Sequence, residues 1–284
     1  FTEETASACS KFVGRAFRGV KNGPSPKWLQ DRLMAVGLRP ISALVDITNY
    51  ISFEFDRPLH VFDAAKVSGT ITARLAKPGE KIRALNEVDY DLDADMTVIA
   101  DDTGPQAVAG VVGGLDSGCT EATTDVFLEV AYFDPVRTAM TGRKLNLQTD
   151  ARYRFERGVD PAFLDDACEV ATRLILELCG GEPSNVVSAG AGPDWKRTLD
   201  FNLDKVATLG GTEVEGVEAR RILNVLGFAI ESDQGSRLVV SVPSWRSDIV
   251  SEACLVEEVV RINGYDRIRP VSVTRPEGTQ GPVM

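Results

Sequence analysis

The chain has 284 residues, 43% of them hydrophobic and 26% charged, a composition that excludes a disordered or collagen-like polymer. Its 31 Lys and Arg stand against 42 Asp and Glu, and the net charge of -11 argues against a surface that coats nucleic acid. Five cysteines with no CxxC pair indicate a reduced, cytosolic protein without a disulfide frame or structural zinc. No apolar run has the length of a membrane span, and no signal peptide is visible. A first residue of Phe and a bare Pro-Val-Met end suggest a piece of a longer chain.

In chain order, a first helix is expected over 26–36, with Ser25 as N-cap, Pro26 at its first position and Gly37 as its stop. An apolar stretch over 41–53 carries Asp46 and Asn49. Strands are expected at 70–75, 97–100, 106–112 and 126–133, separated by Pro-Gly and Asp-Asp-Thr-Gly turns. A second helix is expected over 161–179, capped by Asp160 and ended by Gly180-Gly181. The polar connection over 188–197 reads as a domain boundary. Beyond it come a helix over 214–226, a hairpin of 228–231 with 238–242, and a helix over 251–262. The fold class is therefore α+β: a mixed domain over 1–190 and a smaller winged-helix-like domain over 198–272. Residues 273–284 read as the start of a linker.

Several residues could carry chemistry. Glu129 lies in Val-Phe-Leu-Glu-Val-Ala-Tyr-Phe, apolar on both faces and therefore buried on both. A carboxylate there costs several kcal/mol unless it is paired or protonated. It is either a structural acid tied to amides or an arginine, or a polar contact at the floor of a pocket. His60, the single histidine, suits acid–base work or hydrogen bonding, or simply packs. Gly113 and Gly114 either turn a buried strand or let a ligand approach the backbone. Residues 137–157 hold six cations and two anions, a local +4 against -15 for the remainder. That tract is either a solvated face or a contact for RNA phosphates. Asp248, Glu252, Glu257 and Glu258 surround the last helix. They complement its dipole or hold a hard cation such as magnesium.

These pieces occur in a recognisable order: SPKWL at 25–29, VDITNY at 45–50, RPLHVFD at 57–63, AGVVGG at 109–114, TDARYRFERGVDP at 149–161, PSWRSDI at 243–249 and EEVVRINGY at 257–265. Together they closely resemble the beta subunit of bacterial phenylalanine–tRNA ligase, over its editing module and the small module that follows. The resemblance implies hydrolysis of mischarged Tyr-tRNA. Glu129 would accept the tyrosine hydroxyl, and Gly113 would shape the pocket. Asn49 and His60 would lie near the ester, and Thr149 and Ala151 would line the cavity. It also implies partnership with the alpha subunit and tRNA(Phe), in an enzyme that uses ATP outside this region. Magnesium, at a site shared with the alpha subunit of an alpha2/beta2 heterotetramer, would be held by Asp248, Glu257 and Glu258; the family's fourth ligand is an Asp, and Cys254 stands there, a poor magnesium donor that leaves the site weakened or completed by water. A non-catalytic scaffold and a free nucleic-acid-binding module are the competing readings.

Overall fold

The structure is a computed structural model that describes residues 3–272; the linker expected at 273–284 lies outside them. The chain divides into two compact units, Phe1–Trp195 and Lys196–Met284. In both, helices pack on antiparallel sheets, an α+β architecture.

Unit 1 opens with a short helix α1 (Glu3–Ala6) and a ten-residue strand β1 (Cys9–Arg18), followed by α2 (Lys27–Ala35), α3 (Ala43–Glu54) and β2 (His60–Asp63). A run of short strands comes next: β3 (Thr72–Leu75), β4 (Lys81–Arg83), β5 (Asp89–Asp91), β6 (Thr97–Ala100), β7 (Pro105–Val108) and β8 (Val112–Gly113). The long apolar strand β9 (Val126–Phe133) leads into α4 (Pro135–Lys144), α5 (Asp150–Phe155) and α6 (Leu164–Cys179). Two edge strands, β10 (Glu182–Pro183) and β11 (Val187–Gly190), both pair with β1.

The central sheet runs β10-β1-β9-β2, every pair antiparallel. Alternation sends successive side chains to opposite faces. Val13, Phe17, Leu128 and Val130 pack with Leu44, Ile47 and Ile51 of α3 and with Ala171 and Ile175 of α6. Each such fully buried aliphatic side chain contributes about 1.5–3 kcal/mol. The other face carries Phe12, Phe127, Ala131 and Phe133, which pack toward Ala73, Ile99 and Ala107 of the second sheet, β3-β6-β7-β8.

Strand β1 has no clean alternation in sequence because Lys11 and Arg15 share a face with Val13 and Phe17. Their long side chains reach Asp165 and Glu169 of α6. The strand expected over 106–112 is a tight hairpin instead, broken at Gly110, whose φ is +69°. A Cβ there would lie 3.1 Å from Phe133 and 3.2 Å from Phe155. Ser25 is not an N-cap. The helix starts at Lys27, and Ser25 Oγ donates to the buried Asp46 Oδ2 at 2.5 Å. The long helix starts at Leu164 rather than at Pro161, because Asp160 Oδ1 accepts from Ala162 N–H in a separate turn. Helices α4 and α5 arise inside the cationic tract, capped by Asp134 and Thr149.

Unit 2 contains β12 (Thr198–Asn202), α7 (Asp204–Thr208), α8 (Gly216–Val225), β13 (Ala229–Gln234), β14 (Arg237–Ser241) and α9 (Glu252–Asn263). The expected hairpin gains β12 on its other edge, giving the order β12-β14-β13. Phe201, Ile222, Leu223, Phe228, Val240, Leu255 and Val259 form its core.

Candidate functional site

Glu129 sits midway along β9, in register with Gly14 of β1 on one side and His60 of β2 on the other. Residues directly opposite in an antiparallel pair point to the same face, so the carboxyl and the imidazole share one surface. That surface is apolar. Glu129 is 5% exposed, and its Oε2 has no hydrogen-bond partner among the described residues. His60 Nε2 is equally buried and unpartnered, with the ring set edge-on to Phe62 at 4.5 Å.

Burial governs both protonation states. It raises the Glu129 carboxyl to about 8 and lowers the His60 imidazole to about 4. Near neutral pH both groups are therefore predominantly uncharged. A neutral carboxyl offers one donor and one acceptor, whereas a buried carboxylate in the same place would need a cation.

Gly113 of β8 closes over this pair. A Cβ on it would stand 2.6 Å from His60 Cε1 and 3.0 Å from Nε2. Only the absence of a side chain lets the backbone approach the imidazole so closely. Asn49 comes from the middle of α3. Thr149 precedes α5, where its Oγ1 donates to the Val111 carbonyl at 2.7 Å and accepts from Arg152 N–H at 3.1 Å. Ala151 follows within the first turn. Asn49, His60, Gly113, Glu129, Thr149 and Ala151 all line one cavity of about 350 Å³. Sequence reading missed other parts of its wall: Leu85, Cys119, Phe133 and Phe155. The two phenylalanines stack edge to face at 5.1 Å; they are far apart in sequence, and nothing local marks them as neighbours. A second cavity on the same sheet face, about 480 Å³, is lined by Phe12, Gly14, Phe127 and Ile71 among others and holds no ionisable group. Chemistry therefore points to the first.

The cationic tract is largely matched within the unit. Arg152 pairs with Glu156 at 2.9 Å, Lys144 with Asp93 and Asp95 at 2.9 and 3.0 Å, and Arg154 with Asp56 at 3.2 Å. Arg137 donates to the Asp95 carbonyl at 2.6 Å. The local +4 is thus spent mostly on acids and carbonyls that sequence distance hides.

The carboxylates expected to hold magnesium lie in unit 2 and are engaged otherwise. Arg246 grips Asp248 through two bonds of 2.8 and 2.7 Å, and its third nitrogen meets Glu258 Oε2 at 2.9 Å. Arg261 reaches the same Oε2 at 2.6 Å. These bonds hold Glu258 down at about 2. Glu257 faces solvent, one residue along α9 and so about 100° around it. Cys254 Sγ contacts Ser251 Oγ at 3.4 Å. Among the described residues no group of three or more His, Cys, Asp or Glu is gathered to hold a metal ion. Of the three carboxylates expected to hold magnesium, Asp248 and Glu258 are bridged by the Arg246 guanidinium.

All five cysteines are free thiols. Among the described residues no helix is long and apolar enough to cross a membrane.

Residues 8–180 match the B3/4 domain family, and residues 199–265 match the tRNA synthetase B5 domain. The chain is 59% identical over 276 residues to the phenylalanine–tRNA ligase beta subunit of Paramagnetospirillum magneticum, covering 97% of this chain and 34% of that one. It is 55% identical over 271 residues to the same subunit of Rhodospirillum rubrum, covering 95% and 34%. It thus spans about a third of the length of these curated relatives. A solved N-terminal fragment of the Pyrococcus horikoshii phenylalanyl-tRNA synthetase beta subunit covers 93% of this chain and 73% of its own. It shares 16% identity with a TM-score of 0.43. The chain belongs to the B3/4 domain family, in the B3/4–B5 arrangement shared with phenylalanine–tRNA ligase beta subunits.

Proposed function

We propose that this chain is the proofreading segment of a phenylalanine–tRNA ligase beta subunit and hydrolyses mischarged Tyr-tRNA(Phe). One observation carries the reading: a buried, unpartnered carboxyl oxygen on Glu129 and a buried, unpartnered His60 Nε2 at the floor of an apolar cavity. A phenol hydroxyl entering that floor satisfies polar atoms that a phenyl ring leaves bare. Leaving a buried polar group unpaired costs about 1–3 kcal/mol, so the cavity favours tyrosine over phenylalanine by roughly ten- to a hundredfold. An apolar synthetic pocket, by contrast, rejects an added hydroxyl only about a hundredfold. Two sieves of opposite sense multiply.

Phe133 and Phe155 embrace the ring, and Gly113, having no side chain, leaves room beside His60. Asn49 and Thr149 on the walls orient the ester end. A water held there is the nucleophile, assisted by the terminal ribose hydroxyl of the tRNA; Cys119 in the wall is kept a thiol by burial, which pushes it up to about 12. The alpha subunit and tRNA(Phe) are the partners, ATP serves the ligase site elsewhere, and the compartment is the cytoplasm. The magnesium donors do not fit a metal here, and no step is routed through one.

Deacylation of Tyr-tRNA(Phe) and Phe-tRNA(Phe) tests the reading. The wild-type chain should hydrolyse the tyrosyl ester preferentially, and Glu129→Ala should erase the preference. Equal rates on both esters in the wild type would refute it, and leave a scaffold as the remaining role.

A further inference from the structure

The cavity has two walls that approach from distant parts of the chain. One is the C-terminal half of α3, with Asn49, Ser52 and Phe53; the other is the segment 149–151 that starts α5. A single side chain from α5 engages both. Arg154 Nε donates to the Ser52 carbonyl at 2.8 Å, and its Nη1 donates to the Asp150 carbonyl at 3.0 Å. The guanidinium carbon lies 4.2 Å from the centre of the Phe53 ring. Ser52, Phe53 and Asp150 all line the cavity. The same guanidinium pairs with Asp56 at 3.2 Å, where the chain leaves α3 with a left-handed φ of +51°. Non-glycine residues adopt that region sparingly, Asp among the more tolerant. The Arg154 side chain is only 12% exposed while Asp56 is 69% exposed, so the ion pair counts as a surface pair and the partly buried bond to the Ser52 carbonyl, with the stacking on Phe53, carries the tie.

We infer that Arg154 is a positioning residue that sets the spacing of the two walls and so places Asn49 opposite Thr149 at the ester end. The inference rests on the deacylase reading for its consequence, but the tie between the walls does not. The planar fork matters here. Lysine supplies the charge over Phe53, yet one ammonium cannot serve the Ser52 and Asp150 carbonyls in the same geometry. Arg154 touches no reacting atom. Its loss misplaces wall residues, and misplacement by about 1 Å is enough to slow chemistry on the order of a hundredfold.

The test compares wild type, Arg154→Met and Arg154→Lys as full chains. Deacylation of Tyr-tRNA(Phe) is resolved into kcat and KM, and amide hydrogen exchange is read over 43–56 and 147–155. Arg154→Met should lower kcat roughly ten- to a hundredfold with little change in KM. It should speed exchange in those two segments while β9 stays protected. Arg154→Lys should recover part of both. Wild-type kcat with unchanged exchange in Arg154→Met would overturn the inference. So would faster exchange spread over the whole unit, which marks a merely structural residue. Should the wild type leave Tyr-tRNA(Phe) intact, the deacylase reading falls alone, and the exchange data decide whether Arg154 ties the walls.

Discussion

His60 and Glu129 face each other across the β2–β9 pair, each with a buried polar atom that has no hydrogen-bond partner among the described residues. Neither neutralises the other. Burial drives both toward their uncharged forms, so the floor of the cavity is polar without being charged near neutral pH.

The pair has opposite signatures in stability against pH. Glu129 is raised from 4.5 to about 8, so the folded state holds a proton the unfolded chain has lost, and stability falls as pH rises through that window. His60 is lowered from 6.5 to about 4, so its contribution falls as pH drops from 6.5 toward 4. The two oppose each other below 6.5. Between 6.5 and about 8 the Glu129 slope, up to about 1.4 kcal/mol per pH unit, stands alone. Denaturant titrations of unit 1 should show that decline in the wild type and its absence in Glu129→Gln. An identical decline in both proteins would assign it to another group.

The amide variant also separates charge from hydrogen bonding. Glutamine keeps a donor and an acceptor where the neutral carboxyl has them. Glu129→Gln should therefore retain most of the tyrosyl preference that Glu129→Ala loses, read as the ratio of kcat/KM for the two aminoacyl esters. Equal loss in both variants would mean that the ionised carboxylate is required.

Gly113→Ala should be costly for a specific reason. The new methyl collides with His60 Cε1 at 2.6 Å, and either the β7–β8 hairpin or the imidazole must move. A destabilisation of about 1–3 kcal/mol is expected, the usual range for overpacking. Combining it with His60→Ala should recover much of that loss, a coupling visible in a double-mutant cycle of unfolding midpoints. Strict additivity would place the clash elsewhere.

In unit 2, Glu258 is 7% exposed by side chain and depends on Arg246 and Arg261. Arg246→Ala should destabilise that unit by about 1.5–3 kcal/mol, because it removes a charged hydrogen bond from a buried carboxylate that keeps only Arg261. Glu258 is lowered from 4.5 to about 2, so its pairing stabilises fully above 4.5 and is lost as pH falls toward 2. The penalty of Arg246→Ala should shrink over the same range. With Arg246 bridging two of the carboxylates, magnesium chloride should leave the unfolding midpoint of the wild-type chain unmoved; a saturable rise would show that they hold the metal.

How much of this is legible in one sequence depends on the range of the interaction. Strand β9 is evident from its apolar run, and the buried character of Glu129 follows from that run alone. The stops at Gly37 and Gly180, and the helix and hairpin rhythm of unit 2, rest on local backbone preference and appear in sequence for that reason. The cavity residues from Asn49 to Ala151 come from the family resemblance, because no local pattern relates an α3 amide to a β9 carboxyl 80 positions later.

Tertiary structure alone decided the rest. Lys11 and Arg15 disguise the central strand until α6 supplies their acids. The 137–157 cations read as a free positive tract until Asp93, Asp95 and Asp56 are folded against them. Asp248 and Glu258 are joined through Arg246 only in the folded chain. In each case the deciding term is a charge or hydrogen bond between residues that are not neighbours in sequence, or whose side chains turn toward each other only once the chain has folded. Composition and periodicity record which residues must be buried. They do not record which polar partners burial brings together.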